Sequence, residues 1–259
     1  GSEMCIRDSL HACLLHTDKP LKKQVMKKVI DKAESRGRSL YDWLDSYHTF
    51  SFDGYYNPRR MNFGALRVLN DDRIAPGEGF GTHPHKNMEI ITIPLKGRLQ
   101  HGDSKQNHRT ITPGYIQTMS AGTGIYHSEM NGSDTEEVEL LQIWVMPEKL
   151  NTPPAYQDYD IRSYLHKNEL ALIVSPDGNA PAKMLQQTWF SIGEVEAGKK
   201  TGYHLHQSHA GVYIFLIEGE IKVDGTVLSR RDGMGVYETN SLEIETLKDS
   251  HILLMEVPM

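Results

Sequence analysis

The chain has 259 residues, 38% of them hydrophobic and 24% charged, the composition of a globular protein large enough to bury a core without disulfides or metal staples. Residues 1–38 carry nine basic and five acidic side chains, which leaves 19 basic and 29 acidic ones for the rest. An acidic body repels phosphate backbones and argues against a nucleic-acid partner, and no apolar run approaches the ~18 residues of a membrane-crossing helix.

Gly1-Ser2 reads as the remnant of a removed tag, and residues 1–25 as a tag or other non-native extension, with the native chain opening near Met26. Both cysteines, Cys5 and Cys13, fall in this stretch, which excludes a disulfide-stapled secreted fold and favours a reducing cytoplasm. Leu10–Leu15, interrupted by His11, is too short for a signal peptide. Val25–Glu34 fits either a short helix or an entering strand, and residues 40–57 are aromatic-rich and irregular.

Strands follow. Asn62–Leu69 alternates, and Met88–Leu95 (MEIITIPL) is nearly continuous apolar sequence, the pattern of a buried strand. Tyr115–Met119, Val138–Met146, Glu169–Val174, Thr188–Val195, Val212–Glu218, Glu220–Val223, Leu242–Leu247 and His251–Val257 continue the series. Turn pairs such as Pro76-Gly77, Asp224-Gly225 and Asp232-Gly233 punctuate it. Many short strands at this spacing predict antiparallel sandwiches or barrels rather than βαβ units. The proline-rich stretch 148–160 reads as a linker between an N-terminal domain, 26–147, and a C-terminal domain, 161–259.

A repeat supports that division. Gly77…His83-Pro-His85 precedes an apolar strand ending at Gly97, and Gly198…His204-Leu-His206 precedes one ending at Gly219. The offset is 121 residues, about half the body, so one β-unit occurs twice.

His83 and His85 are two apart, and strand side chains alternate, so both imidazoles project from one face. His127 and Glu129 repeat the spacing with one imidazole and one carboxylate. If the two pairs meet across a barrel, three nitrogens and one oxygen converge. Without a thiolate this is no iron–sulfur or structural zinc site; imidazoles plus a carboxylate suit non-haem Fe(II), with Mn, Ni, Cu, Zn or Co as other occupants. Met88, Ile90, Leu66 and Val68 form the apolar wall of such a barrel, and Trp43, Trp144, Phe50 and Phe52 read as core. His48 fits either the mouth of the site or a turn, and His101 and His108, in the polar hairpin HGDSKQNHR, read as solvated.

Gly77–Gly97 and Gly114–Asn131 resemble the two cupin motifs. More narrowly, DWLDSYHTFSF (Asp42–Phe52), GALRVLNDD (Gly64–Asp72), GFGTHPHKNMEI (Gly79–Ile90), MSAGTGIYHSE (Met119–Glu129) and QIWVMP (Gln142–Pro147) resemble the pirin family. The resemblance runs from about Met26 to the C-terminus and is densest in the first half. It implies an all-β chain of two tandem cupin barrels (double-stranded β-helix, jelly-roll) with one metal, usually iron, in the first. The ligands it implies are His83, His85, His127 and Glu129. Bacterial pirins are described as quercetin 2,3-dioxygenases, which open flavonols with release of carbon monoxide; animal members are nuclear iron-dependent co-regulators.

Glu89 sits at the carboxylate position of the general cupin motif and reads as either a ligand or a partner orienting a ligand imidazole. His204 and His206 have no downstream counterpart of His127, so the C-terminal domain reads as a structural half. No nucleophile elbow, Walker loop or dinucleotide fingerprint is present. The expected function is a pirin-like, metal-dependent dioxygenase acting on a flavonol and O2 at Fe2+, as a cytoplasmic monomer, with Glu129 also available as a base. The alternative is an iron-dependent, redox-sensing binding protein without turnover; an isomerase or sugar-binding cupin is a third reading.

Overall fold

The computed structural model describes residues 26–106 and 108–259; the expected tag remnant and both cysteines lie outside these residues. The N-terminal half supplies β1 (Lys27–Asp31), β2 (Gly37–Leu40), β3 (Leu44–His48), β4 (Leu66–Ile74), β5 (Gly79–His85), β6 (Glu89–Lys96), β7 (Leu99–Asp103), β8 (His108–Ile111), β9 (Tyr115–Ser120), β10 (Ile125–Asn131), β11 (Val138–Val145) and β12 (Ala155–Asp160). The C-terminal half supplies β13 (Ala171–Ser175), β14 (Ala182–Lys183), β15 (Trp189–Val195), β16 (Lys200–His204), β17 (Ala210–Val223), β18 (Thr226–Ser229), β19 (Gly233–Tyr237) and β20 (Ser241–Pro258). Among the described residues the helical elements are two single 3-10 turns, Ala33–Ser35 and Arg162–Tyr164, and no helix is long and apolar enough to cross a membrane.

A seven-stranded sheet, β12-β9-β6-β11-β4-β3-β2, faces a four-stranded one, β5-β10-β7-β8, to make the first barrel. The second is one nine-stranded sheet built around β17 and β20, strands of 14 and 18 residues that fold over on themselves. Each covers two stretches that read as separate strands in the sequence. Gly219 and the polar segment near Lys248 resemble turns, but register shifts between Leu216 and Ile221 absorb them as bulges that bend the strands.

The boundary between the halves is crossed twice by hydrogen-bonded strands. Within the expected Val25–Glu34 stretch, the described residues form β1 and enter the 3-10 turn Ala33–Ser35, and β1 pairs with β19 of the second barrel. Residues 155–160, expected within the linker, form β12 against β9. Pro153 and Pro154 precede this edge strand rather than interrupt it, so its ladder keeps its donors.

The near-continuous apolar strands follow from burial on both faces. Odd positions of β6 and β11 (Ile91, Ile93, Leu141, Ile143, Val145) pack against odd positions of β17 and β20 (Tyr213, Phe215, Leu253, Met255, Val257) in one apolar layer between the barrels. Even positions of β17 and β20 (Val212, Ile214, Leu216, Ile252, Leu254) fill the second barrel. Even positions of β6 and β11 line the first, and there the chemistry changes to Thr92 and Gln142. Leu66, expected on the barrel wall, instead joins the layer between the barrels, because the register slips between Trp144 and Val145 where β4 pairs with β11.

Glu89 lies outside both clusters of prospective metal-binding side chains, and its hydrogen bonds go to other groups. Its fully buried carboxylate accepts hydrogen bonds from the Leu185 and Gln186 backbone N–H groups, 3.0 and 2.7 Å away, and from Ser120 Oγ at 2.9 Å. It therefore ties the loop before β15 to the first barrel. Glu89→Ala takes the acceptor from three donors, the Leu185 and Gln186 N–H groups and the Ser120 hydroxyl, so urea unfolding should show a loss of about 3 kcal/mol, with metal content unchanged. Loss of metal at unchanged stability would return Glu89 to the ligand sphere.

Candidate metal centre

The centre is built on the pairing of β5 with β10, which sets His127 directly opposite His83 and Ile125 opposite His85. Gly79 permits this approach, since a Cβ there would lie 2.3 Å from the Glu129 carbonyl oxygen. Three imidazoles converge as a result, with ring centroids 4.4 Å (His83–His127), 4.8 Å (His83–His85) and 4.8 Å (His85–His127) apart. His83 Nδ1 lies 2.8 Å from the Gly81 carbonyl, to which only an N–H can donate, so Nε2 is the ring nitrogen left to face a metal ion. That Nε2 lies 3.0 Å from His127 Nε2. Burial, reinforced by His83, pulls His85 down to about 4 and His127 to about 2, so both are neutral at physiological pH, the form that binds metal.

Glu129 stands one step away. An irregularity in the β5–β10 register puts it opposite Phe80, and on its other side it faces His101 of β7. The structure thus gathers His83, His85 and His127 in one cluster, and His127, Glu129 and His101 in an adjoining one that shares His127. Glu129 Oε2 accepts from Gln142 Nε2 at 2.7 Å, and Oε1 from Thr92 Oγ1 at 3.2 Å and Gln117 Nε2 at 3.5 Å. Burial still pushes its carboxyl up to about 7. Among the described residues no Lys or Arg lines the adjacent cavity, so a divalent cation is the charge that would favour the ionised form. Convergent lone pairs beside an uncompensated buried carboxyl fit a divalent metal ion.

His101 departs from its expected solvation. Residues 99, 101 and 103 of β7 point inward, and His101 is 3% exposed, stacked on Tyr156 with centroids 4.0 Å apart. Its Nε2 faces Asp103 Oδ2 at 3.3 Å and its Nδ1 faces Gln117 Nε2 at 3.3 Å. His108 is exposed, as expected.

A cavity of about 300 Å3 opens beside the imidazoles. Trp43, Phe52 and Trp144, expected as core, line it; Trp144 meets His85 edge-on at 4.9 Å and Phe52 at 5.4 Å. Phe50 is core, packed against Tyr213. His48 lines the cavity, where it is bound to Asn70 and Ser39. In the second barrel, His206 stacks on Trp189 and its Nδ1 lies 2.8 Å from the buried Glu256, while His204 is exposed.

Two β-barrels with an HxH and an HxE strand facing each other in the first define a two-barrel cupin. Residues 29–145 match the family described as Pirin, and residues 172–257 the one described as quercetinase C-terminal cupin domain. The chain is 40% identical over 227 residues to a quercetin 2,3-dioxygenase of Escherichia coli strain K12, covering 88% of this chain and 97% of that protein. It is 35% identical over 231 residues to a putative quercetin 2,3-dioxygenase of Pasteurella multocida, covering 87% and 97%. The crystal structure of the bacterial pirin YhhW from Escherichia coli in complex with nickel(II) superposes with a TM-score of 0.85 at 38% identity, over 90% of this chain and 99% of that one. The chain belongs to the pirin family.

In the metal-free protein Glu129 holds a proton below about pH 7, which an incoming cation must displace. If Glu129 joins the imidazoles as a ligand, affinity for Ni2+ should fall by about tenfold per unit from pH 7 to 5. Calorimetric titration at pH 5, 6 and 7 checks this; Glu129→Gln should flatten the profile and His127→Ala should abolish tight binding at every pH. A flat profile in the unaltered protein would place Glu129 outside the ligand set.

Proposed function

We propose that this pirin is a metal-dependent dioxygenase that opens flavonols such as quercetin with O2, using one Fe2+ held by His83, His85, His127 and Glu129. The observation that carries the reading is the convergence of three imidazoles beside an aromatic-lined cavity. Similarity to proteins named quercetin 2,3-dioxygenase supports the substrate class, and the mixed nitrogen and oxygen donors support iron. Nickel, found in the related bacterial pirin, is the nearest competitor.

When bound, the ion supplies Lewis acidity toward a hydroxylated ligand and a redox partner for O2. The protein supplies position. Trp43, Phe52 and Trp144 offer flat apolar surfaces to a planar aromatic substrate. The Gly81 carbonyl holds the His83 ring, and Gln142, Thr92 and Gln117 hold Glu129, so the donors stay preorganised. In this reading the chain works as a cytoplasmic monomer. Its two cysteines both precede residue 25, and edge strands as short as β2 and β14 offer little template for pairing with another chain.

Protein loaded in parallel with Fe2+ and with Ni2+ should be mixed with quercetin without oxygen and then exposed to air. The expected result is loss of quercetin absorbance with one carbon monoxide per quercetin, fastest with iron, and at least about a hundredfold slower in His127→Ala. Binding without turnover by fully loaded protein would overturn the dioxygenase and leave the redox-sensing alternative.

A further inference from the structure

The cluster of His127, Glu129 and His101 contains one imidazole that the proposed ligand set leaves out. His101 and its neighbour Asp103 come from the hairpin HGDSKQNHR, yet both side chains are fully buried. The pairing of β7 with β10 sets Asp103 opposite His127 and His101 opposite Glu129, so the two stand directly behind the centre. Burying an acid and an imidazole there is costly unless their lone pairs and hydrogens are used.

We propose that Asp103 is a positioning residue for the metal centre: through the tautomer of His101 and the orientation of the Gln117 amide, it dictates that Glu129 meets an N–H rather than a carbonyl oxygen. The proposal rests on the reading of Glu129 as a metal ligand. Each step follows from what the facing atom can do. Asp103 Oδ1 accepts from the Lys105 backbone N–H at 2.8 Å, and Oδ2 lies 3.3 Å from His101 Nε2. A carboxylate only accepts, so Nε2 carries the hydrogen and Nδ1 the lone pair. That lone pair lies 3.3 Å from Gln117 Nε2 and can take only the donor edge of the amide. The second amide hydrogen is then directed at Glu129 Oε1, 3.5 Å away. The carbonyl edge of Gln117 is left for Tyr156 OH, which donates to it at 3.4 Å, while the Tyr156 ring stacks on His101. A donor meets an acceptor at every contact.

The opposite direction would also be coherent within the His101–Gln117 pair, which makes Asp103 decisive. With its hydrogen on Nδ1, His101 would donate to the Gln117 carbonyl, and the amide would be turned over. Its oxygen would then face Glu129 Oε1, and two sets of lone pairs would meet where the structure has an N–H. The carboxylate would be pushed off the position in which Thr92, Gln142 and Gln117 hold it. What selects between the two directions is the group facing His101 Nε2, and a carboxylate selects the first. In Asp103→Asn the direction reverses with little change of shape. The Lys105 N–H still requires an oxygen, so the new side chain keeps Oδ1 there and turns its NH2 group toward His101. Nε2 must then accept, Nδ1 must donate, and Gln117 turns over.

The test combines Ni2+ titration calorimetry with 15N spectra of the histidine rings in zinc-loaded protein, neither of which needs flavonol or O2. The unaltered protein should carry the His101 hydrogen on Nε2. Asp103→Asn should carry it on Nδ1 and bind Ni2+ about tenfold or more weakly. Gln117→Leu cuts the connection and should by itself weaken binding about as much. Adding Asp103→Asn to Gln117→Leu should then lower affinity by no more than about twofold. That non-additivity separates a transmitted orientation from the loss of a nearby negative charge, which would weaken cation binding equally in both backgrounds. The same tautomer in both proteins, an unchanged affinity in Asp103→Asn, equal losses in both backgrounds, or zinc coordination by His101 itself overturns the proposal. Should Asp103→Asn fail to fold, Gln117→Leu still decides: weakened binding supports the chain of contacts, and unaltered binding overturns it. Glu129→Gln keeps this apart from the ligand reading. Affinity retained in Glu129→Gln removes Glu129 as a ligand, whereas affinity lost there but kept in Gln117→Leu removes only the role of Asp103 and leaves the dioxygenase reading standing.

Discussion

One row of side chains across the seven-stranded sheet sets the character of the first barrel. Hydrogen-bonded registers align Gln117, Thr92, Gln142, Asn70 and His48 on strands β9, β6, β11, β4 and β3. All five point away from the apolar layer between the barrels and into the barrel interior. Because strand side chains alternate, the same strands satisfy both demands, with Ile91, Ile143 and Leu69 on the opposite face closing the core. A slip of one residue in any of these pairings would bury amides in the apolar layer and turn isoleucines toward the cavity. The large contact between the barrels thus stabilises the fold and also fixes which residues surround the site.

The row leads directly to the electrostatics. Gln117, Thr92 and Gln142 converge on Glu129 from one direction, while the β5–β10 register brings three imidazoles from the other. Burial favours the neutral forms throughout: it lowers His85 and His127 and raises Glu129 and Asp72. The site is therefore a basin of imidazoles and buried acids, and among the described residues no lysine or arginine lies on its lining. A divalent cation relieves this imbalance, since it needs the imidazoles neutral and rewards ionisation of the carboxyl.

The converging imidazoles were legible in the sequence because their spacing encodes a face. His83-Pro-His85 and His127-Ser-Glu129 each declare two side chains on one side of a strand, and the repeated glycine-to-histidine spacing declares two barrels. What was not legible depended on pairing between distant strands. His101 lies in a hairpin as polar as any solvated loop, and only its position opposite Glu129 shows that it is inside. Trp144 alternates with apolar neighbours as a core residue does, yet it faces His85. Glu89 shares strand parity with the histidines, and its partners, the N–H groups of Leu185 and Gln186, come from the other half of the chain. Peptide donors have no sequence signature, so a carboxylate that binds them is indistinguishable in sequence from one that binds a metal.

The second barrel shows the same device put to a different use. Glu256 is a fully buried carboxylate that accepts from the His206 and Gln207 N–H groups and from Tyr203 OH. It clamps the loop after β16 as Glu89 clamps the loop before β15. His206 is held against that carboxylate and Trp189, and so serves the clamp. Val212, Ile214, Leu216, Ile252 and Leu254 form an apolar row in the interior of this barrel. From one repeated β-unit, the first barrel has traded core side chains for amides, hydroxyls and imidazoles. The second keeps a full apolar core and, through the layer that the two share, contributes stability that a polar barrel would lack.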